Sequence, residues 1–237
     1  MIELFNIPAG LPDDIERDRP VVIIDVFRAS TSMAAALAAG ARELRFAGSR
    51  AEADRIKKDF DGELIMAGER DGLRIEGYDL GNSPLEMTAD KLAGRTVLFN
   101  STNGTRLLRR FDNFDNVLMG YFVTLSATVK KLQTFDCDPI ICCAGTNGKY
   151  STEDVLAGGM MAAALAKSDN DKNDAALAAQ RLFRAAGENW NKWARASYHG
   201  RYLAGIGLEK DLEFCTDLDL FDFTLVKRGK CLVRAQV

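Results

Sequence analysis

A single histidine, His199, serves all 237 residues of the chain, and this scarcity excludes whole classes of chemistry. No histidine cluster exists for a zinc site, and any imidazole acid or base would have to be this residue. The five cysteines are an odd number. Cys142 and Cys143 are adjacent, and the others are scattered at neither metal-ligand nor redox-motif spacing. Reduced thiols are expected. No apolar run approaches the roughly 20 residues a spanning helix needs. Residues 1–6 lack a basic region followed by an apolar core, so no signal peptide is expected and the protein should be soluble and cytoplasmic. A basic excess is missing too: 31 Lys and Arg stand against 34 Asp and Glu, a net charge of -3. Nothing global would attract nucleic acid or an anionic membrane. There is no Gly-x-Ser-x-Gly elbow and no Gly-x-Gly-x-x-Gly after a strand. Residues 144–149 fall short of a P-loop, lacking its first glycine and the hydroxyl after lysine, so nucleotide binding is not expected.

What the chain does have is one pattern used three times. The run Val21-Val22-Ile23-Ile24 leads into Asp25-Val26-Phe27-Arg28-Ala29-Ser30-Thr31-Ser32 and then an alanine-rich helical stretch. Residues 96–99 lead into Asn100-Ser101-Thr102-Asn103-Gly104-Thr105, with Leu107, Leu108 and Phe111 following at helical spacing. Residues 139–143 lead into Ala144-Gly145-Thr146-Asn147-Gly148-Lys149, with a helix expected over 153–165. Each is an apolar strand, a polar glycine-bearing loop and a helix start, an arrangement that favours anions. Thr105 or Asn103 would cap the second helix. Loops beyond the carboxyl ends of parallel strands share one edge of an open α/β sheet, so the three are expected to form one site. Ser49 and Glu52 make a capping-box pattern for a helix over 49–60, and further helices are expected over 126–132, capped by Ser126, and over 175–186. Strands are expected at 43–47 and 63–67. The polar run 168–174 reads as a mobile loop, and residues 213–237 as a tail of short strands. The expected fold class is α/β: a three-layer α/β/α arrangement with a mixed, largely parallel sheet, one domain over 1–237 with two intimate lobes at about 1–125 and 126–237.

Several side chains could carry chemistry. Asp25 and Arg28 close a very apolar strand, where a carboxylate can hold a cation and a guanidinium an oxyanion; the alternative is a structural ion pair between them. Glu69 and Arg70 repeat the combination at the start of a long irregular stretch, 68–87, of a kind that is often functional in compact domains. Glu153 and Asp154 open a helix, where they either complement its dipole or join Asp25 and Glu69 in holding Mg²⁺. Cys143, at a strand end facing a helix start, would have a lowered thiol pKa and could attack a substrate, or it is a buried structural thiol. His199 is the remaining catalytic candidate. Ser30, Thr31, Arg70, Asn82, Ser83, Thr102, Asn103, Gly104, Thr105, Gly145 and Thr146 are the candidate substrate-binding residues.

Taken together, the segments 22–32 (VIIDVFRASTS), Gly68-Glu69-Arg70, 76–84 (EGYDLGNSP), 101–105 (STNGT), 143–154 (CAGTNGKYSTED), His199-Gly200 and Phe214-Cys215 resemble the 2-phosphosulfolactate phosphatase family in order and over nearly the whole chain. The resemblance implies a Mg²⁺-dependent phosphoric monoester hydrolase of α/β/α fold. It would release phosphate from 2-phospho-3-sulfolactate, a step toward coenzyme M, with a homodimer as one possible assembly. A non-catalytic binding protein for a small anionic metabolite is the alternative.

Overall fold

The computed structural model describes residues 1–101 and 104–236. In chain order the described strands are β1 (Glu3–Phe5), β2 (Val21–Ile24), β3 (Glu43–Ala47), β4 (Leu64–Arg70), β5 (Leu73–Arg74), β6 (Thr96–Asn100), β7 (Val117–Gly120), β8 (Ile140–Cys143), β9 (Phe223–Arg228) and β10 (Cys231–Gln236). The α-helices are α1 (Ala29–Ala38), α2 (Arg50–Asp59), α3 (Ala89–Leu92), α4 (Gly104–Arg110), α5 (Leu125–Leu132), α6 (Thr152–Leu165), α7 (Asp174–Ala186), α8 (Trp190–Arg195), α9 (Tyr198–Gly205) and α10 (Glu209–Cys215).

These form a three-layer α/β/α fold around one mixed sheet of order β1-β8-β2-β7-β9-β10-β3-β6-β4-β5. Strands β2, β6, β7 and β8 are buried along their whole length, as sheets covered on both faces require, and their β-branched and apolar sequences suit that position. The main core draws on apolar side chains from Ile2 to Leu232. A smaller cluster of Ala47, Ala53, Met66, Tyr78 and Leu98 lies under α2.

The sheet differs in one respect from a simple parallel stack. β1, β8, β2 and β7 are mutually parallel, as are β3, β6 and β4, but the antiparallel hairpin β9–β10 sits between them, antiparallel to both β7 and β3. The two parallel blocks therefore run in opposite senses. Five strand steps separate β2 from β6, and at roughly 20–25° of twist per step the blocks rotate by on the order of a hundred degrees. Carboxyl ends that would be opposed in a flat sheet can thus converge, and β2 and β6 do so.

Local differences have identifiable causes. Helix α2 begins as the Ser49 signal implies, its hydroxyl accepting from Glu52 N. Helix α7 starts one residue earlier than its periodicity suggests, because Asn173 Oδ1 accepts from Ala176 N. Ser126 is not a cap: α5 begins at Leu125 behind a 3-10 turn (Phe122–Thr124), and the Ser126 N–H and hydroxyl both donate to Asp219. The stretch 168–174 is tied to β1, with Ile2 N donating to the Asp171 carbonyl and Asn173 N to the Ile2 carbonyl. Residues 213–215 are helical rather than extended, because α10 buries Leu212 and Cys215 before the β9–β10 hairpin begins.

Candidate active site

A cavity of about 340 Å³ opens where these ends meet, and its wall includes Asp25, Arg28, Glu69, Arg70, Asn82, Ser101, Thr146 and His199. Asp25 caps β2 and is buried. Its Oδ2 accepts from the Gly104 N–H at 2.8 Å, at the start of α4. The loops after β2 and β6 therefore touch. Asp154, in the first turn of α6, joins the third: its Oδ1 accepts from Val26 N at 2.8 Å and its Oδ2 from Gly145 N at 3.0 Å. Gly145 has φ of +66°, and a Cβ there would fall 2.2 Å from the Lys149 carbonyl, so this tight loop needs glycine. The three loops meet as the sequence suggests.

The helix-start N–H groups do take anions, but the anions are the protein's own. Gly104 and Gly145, expected to bind substrate, donate to Asp25 and Asp154 instead. Thr105 lies inside α4 and donates to the Ser101 carbonyl at 2.5 Å. Thr31 donates to the Val26 carbonyl. Ser30 is buried within α1, its hydroxyl without a partner among the described residues. None of these lines the cavity. Thr102 and Asn103 lie outside the described residues. Ser83 donates to Asp211 at 2.7 Å rather than facing the cavity, whereas its neighbour Asn82 lines the wall with Oδ1 buried and without a partner among the described residues. Thr146 lines the wall, its hydroxyl 2.8 Å from Ser151 Oγ and 3.3 Å from His199 Nδ1.

The structural Asp25–Arg28 ion pair, the alternative reading of these two residues, is not formed. Arg28 Nη1 instead donates to Asp211 of α10 at 2.5 Å, and Nη2 to the Gly72 carbonyl at 2.6 Å. Glu69 stands at the tip of the β4–β5 hairpin, with Oε2 accepting from Gly72 N. Arg70 beside it is exposed and makes no ion pair among the described residues. Cys143 is fully buried, away from the cavity wall. Burial, then Asp154 and the other nearby groups, push its thiol well above the ordinary range, the opposite of the lowered pKa expected at a helix start. The aromatic part of the wall, Phe27, Tyr198 and Tyr202, carries no sequence signal beyond its place near His199.

The acidic groups are crowded. Burial pushes Asp25 up to about 7, with Glu153 and Glu69 adding to the rise and His199 and the Gly104 N–H opposing it. Burial, then Glu153 and Asp25, hold Asp154 well above the usual carboxylate range. Glu153 is buried with Oε1 3.7 Å from His199 Nδ1, while its Oε2 has no partner among the described residues. Such a cluster suits a cation. Among the described residues no three His, Cys, Asp or Glu side chains are gathered so as to cage a metal by themselves. Mg²⁺ does not demand a cage, since it takes one or two carboxylates and completes its shell with water and substrate phosphate. Asp25 and Glu153 fit that role, Glu69 stands nearby, and Asp154 is engaged as a loop clamp.

Fold and cavity together define an α/β protein with a small, polar, mixed-charge cleft suited to a compact anion. Residues 5–230 match the 2-phosphosulpholactate phosphatase family; the chain belongs to this family of phosphoric monoester hydrolases. Among its relatives, a protein of Thermotoga petrophila is 39% identical over 203 residues, 86% of each chain. One of Symbiobacterium thermophilum is 36% identical over 218 residues, 91% of this chain and 92% of the other. One of Caldanaerobacter subterraneus subsp. tengcongensis is 35% identical over 208 residues, 87% and 86%. All three carry the name "Probable 2-phosphosulfolactate phosphatase". Among the described residues no helix is long and apolar enough to cross a membrane.

Proposed function

We propose that this protein hydrolyses 2-phospho-3-sulfolactate, or a closely similar 2-phospho-hydroxy acid, to the free hydroxy acid and phosphate. The observation that carries the reading is the meeting of the buried Asp25, the carboxylates of Glu69 and Asp71, two arginines and the sole histidine on one cavity of about 340 Å³, in a chain of this family. That volume accommodates a small, multiply charged ester.

Phosphoryl transfer is helped chiefly by neutralising charge on the phosphoryl oxygens and by fixed orientation. Arg28, held at two of its N–H groups, offers its remaining donors to the phosphoryl oxygens. Arg70, exposed at the mouth, meets the second acid group of the ester. The Asn82 amide and Thr146 hydroxyl add neutral polar contacts. His199, on the same wall, would give a proton to the leaving alkoxide oxygen as water attacks phosphorus and the ester P–O bond breaks. Mg²⁺ held by Asp25 and Glu153 would supply further neutralisation of the phosphoryl group. The sulfolactate released would serve a route toward coenzyme M, and a cytoplasmic setting accords with five unpaired thiols.

Phosphate release is measured with 2-phospho-3-sulfolactate and phospholactate, in Mg²⁺ and in EDTA. Release that depends on Mg²⁺ is expected. Binding of either ester without release would favour the non-catalytic alternative.

A further inference from the structure

The residue that organises the arginine side of the cavity is not itself on the cavity wall. Asp211 of α10 is buried, 3% exposed. Its Oδ2 accepts from Arg28 Nη1 at 2.5 Å and its Oδ1 from the Ser83 hydroxyl at 2.7 Å. Arg28 passes the constraint on, since its Nη2 donates to the Gly72 carbonyl at 2.6 Å. Ser83, fixed by Asp211, adjoins Asn82 in the chain, whose carbonyl also accepts from Ser32 Oγ at 2.7 Å. Arg28, Gly72 and Asn82 all line the cavity. One carboxylate near the C-terminus therefore pins three wall positions from two other parts of the chain.

We propose that Asp211 is a positioning residue for substrate binding, acting through Arg28 and Ser83 to hold the phosphate-binding wall in register without touching substrate. The proposal rests on the phosphatase reading above. Stability alone explains the pair poorly, because the desolvation of two buried charges offsets most of their attraction. Orientation explains it well: a guanidinium has five N–H donors, and fixing two of them aims the rest. A donor displaced by about 1 Å can cost on the order of 100-fold in rate.

The test compares wild type with D211N, D211E, S83A, R28A and the double variant D211N/R28A, with folding followed by circular dichroism and thermal melting. D211N is expected to lower kcat/KM by about 10- to 100-fold, mainly through KM, and to weaken the binding of inorganic phosphate by a similar factor. D211E should recover part of the loss. S83A, which leaves the ion pair in place but removes one contact to Asp211, should raise KM several-fold while remaining folded, with a modest fall in melting temperature. The double variant should lose clearly less than the product of the two single losses, since much of the effect of Asp211 passes through Arg28. Losses that multiply in the double variant would overturn the proposal, as would a folded D211N or S83A with wild-type KM and phosphate affinity. A wild type that binds phosphate but hydrolyses neither ester overturns the phosphatase reading alone, and the phosphate affinities of wild type and D211N then decide on Asp211.

Discussion

The backbone N–H of Gly104 donates to Oδ2 of Asp25 at 2.8 Å, joining the ends of two strands that run in opposite senses. The same closeness leaves no room for a side chain, because a Cβ on Gly104 would lie 2.6 Å from that oxygen. Gly104→Ala must therefore push Asp25 or the start of α4 aside. Alanine is otherwise a good helix former, so the damage should fall on the site more than on the fold. Steady-state kinetics should show kcat/KM reduced at least about tenfold, and an unaffected rate would mean that the contact is not needed.

Asp25 also ties stability to pH. Its carboxyl is pushed from 3.8 up to about 7 in the folded protein, chiefly by burial. The folded state thus binds this proton more tightly than the unfolded chain does. The contribution is fully present below about pH 4 and is lost as pH rises through about 7. At about 1.4 kcal/mol per unit, the loss is on the order of 4 kcal/mol. Melting in EDTA should accordingly give a lower melting temperature at pH 8 than at pH 5. Mg²⁺ competes with the proton, so its stabilising effect should be larger at pH 8. Equal Mg²⁺ shifts at both pH values would argue against a cation at Asp25.

How much of this was legible beforehand follows from the range of the interactions. Val21–Ile24 and Ile140–Cys143 announce buried strands through local composition, and Ser49 caps its helix by a bond within three residues. The meeting of the loops could be anticipated from a pattern used three times. What was hidden depends on partners far along the chain. Arg28 pairs with Asp211, 183 residues away, and not with Asp25, three residues away. Asp211 itself sits in Glu-Lys-Asp on a helix whose cap position is Leu208 with no side-chain bond, so it reads as a solvated charge. The N–H groups of Gly104 and Gly145, expected to meet substrate, donate instead to Asp25 and Asp154, 79 and 9 residues away in the chain.

Cys143 offers a prediction that separates two mechanisms. Its thiol is fully buried and held well above the ordinary range, so a thiolate nucleophile is disfavoured at neutral pH. Cys143→Ala should keep activity within a few-fold of wild type and lose about 1 kcal/mol of stability as the packed sulfur is removed. Iodoacetamide should leave Cys143 unmodified in the native protein, as judged by peptide mass mapping. Loss of all activity in a folded Cys143→Ala variant would restore covalent catalysis by this thiol.

Arg70 makes the sharpest contrast with Arg28. Both line the cavity, but Arg28 is buried and its charge is balanced by Asp211, while Arg70 is exposed at the mouth with no ion pair among the described residues. Removing Arg70 leaves no buried charge uncompensated, so Arg70→Ala should melt within about 1–2 °C of wild type, as surface substitutions usually do. Its cost should appear in KM, because a charge that meets the far acid group of the ester contributes equally to ground and transition states. A rise in KM of about 10-fold with kcat nearly unchanged is expected, partly restored in Arg70→Lys, which keeps the charge but not the planar fork. The comparison should also depend on the ester. A substrate lacking the sulfonate should lose less from Arg70→Ala than 2-phospho-3-sulfolactate does, and an equal loss on both would move Arg70 from the second acid group to the phosphate.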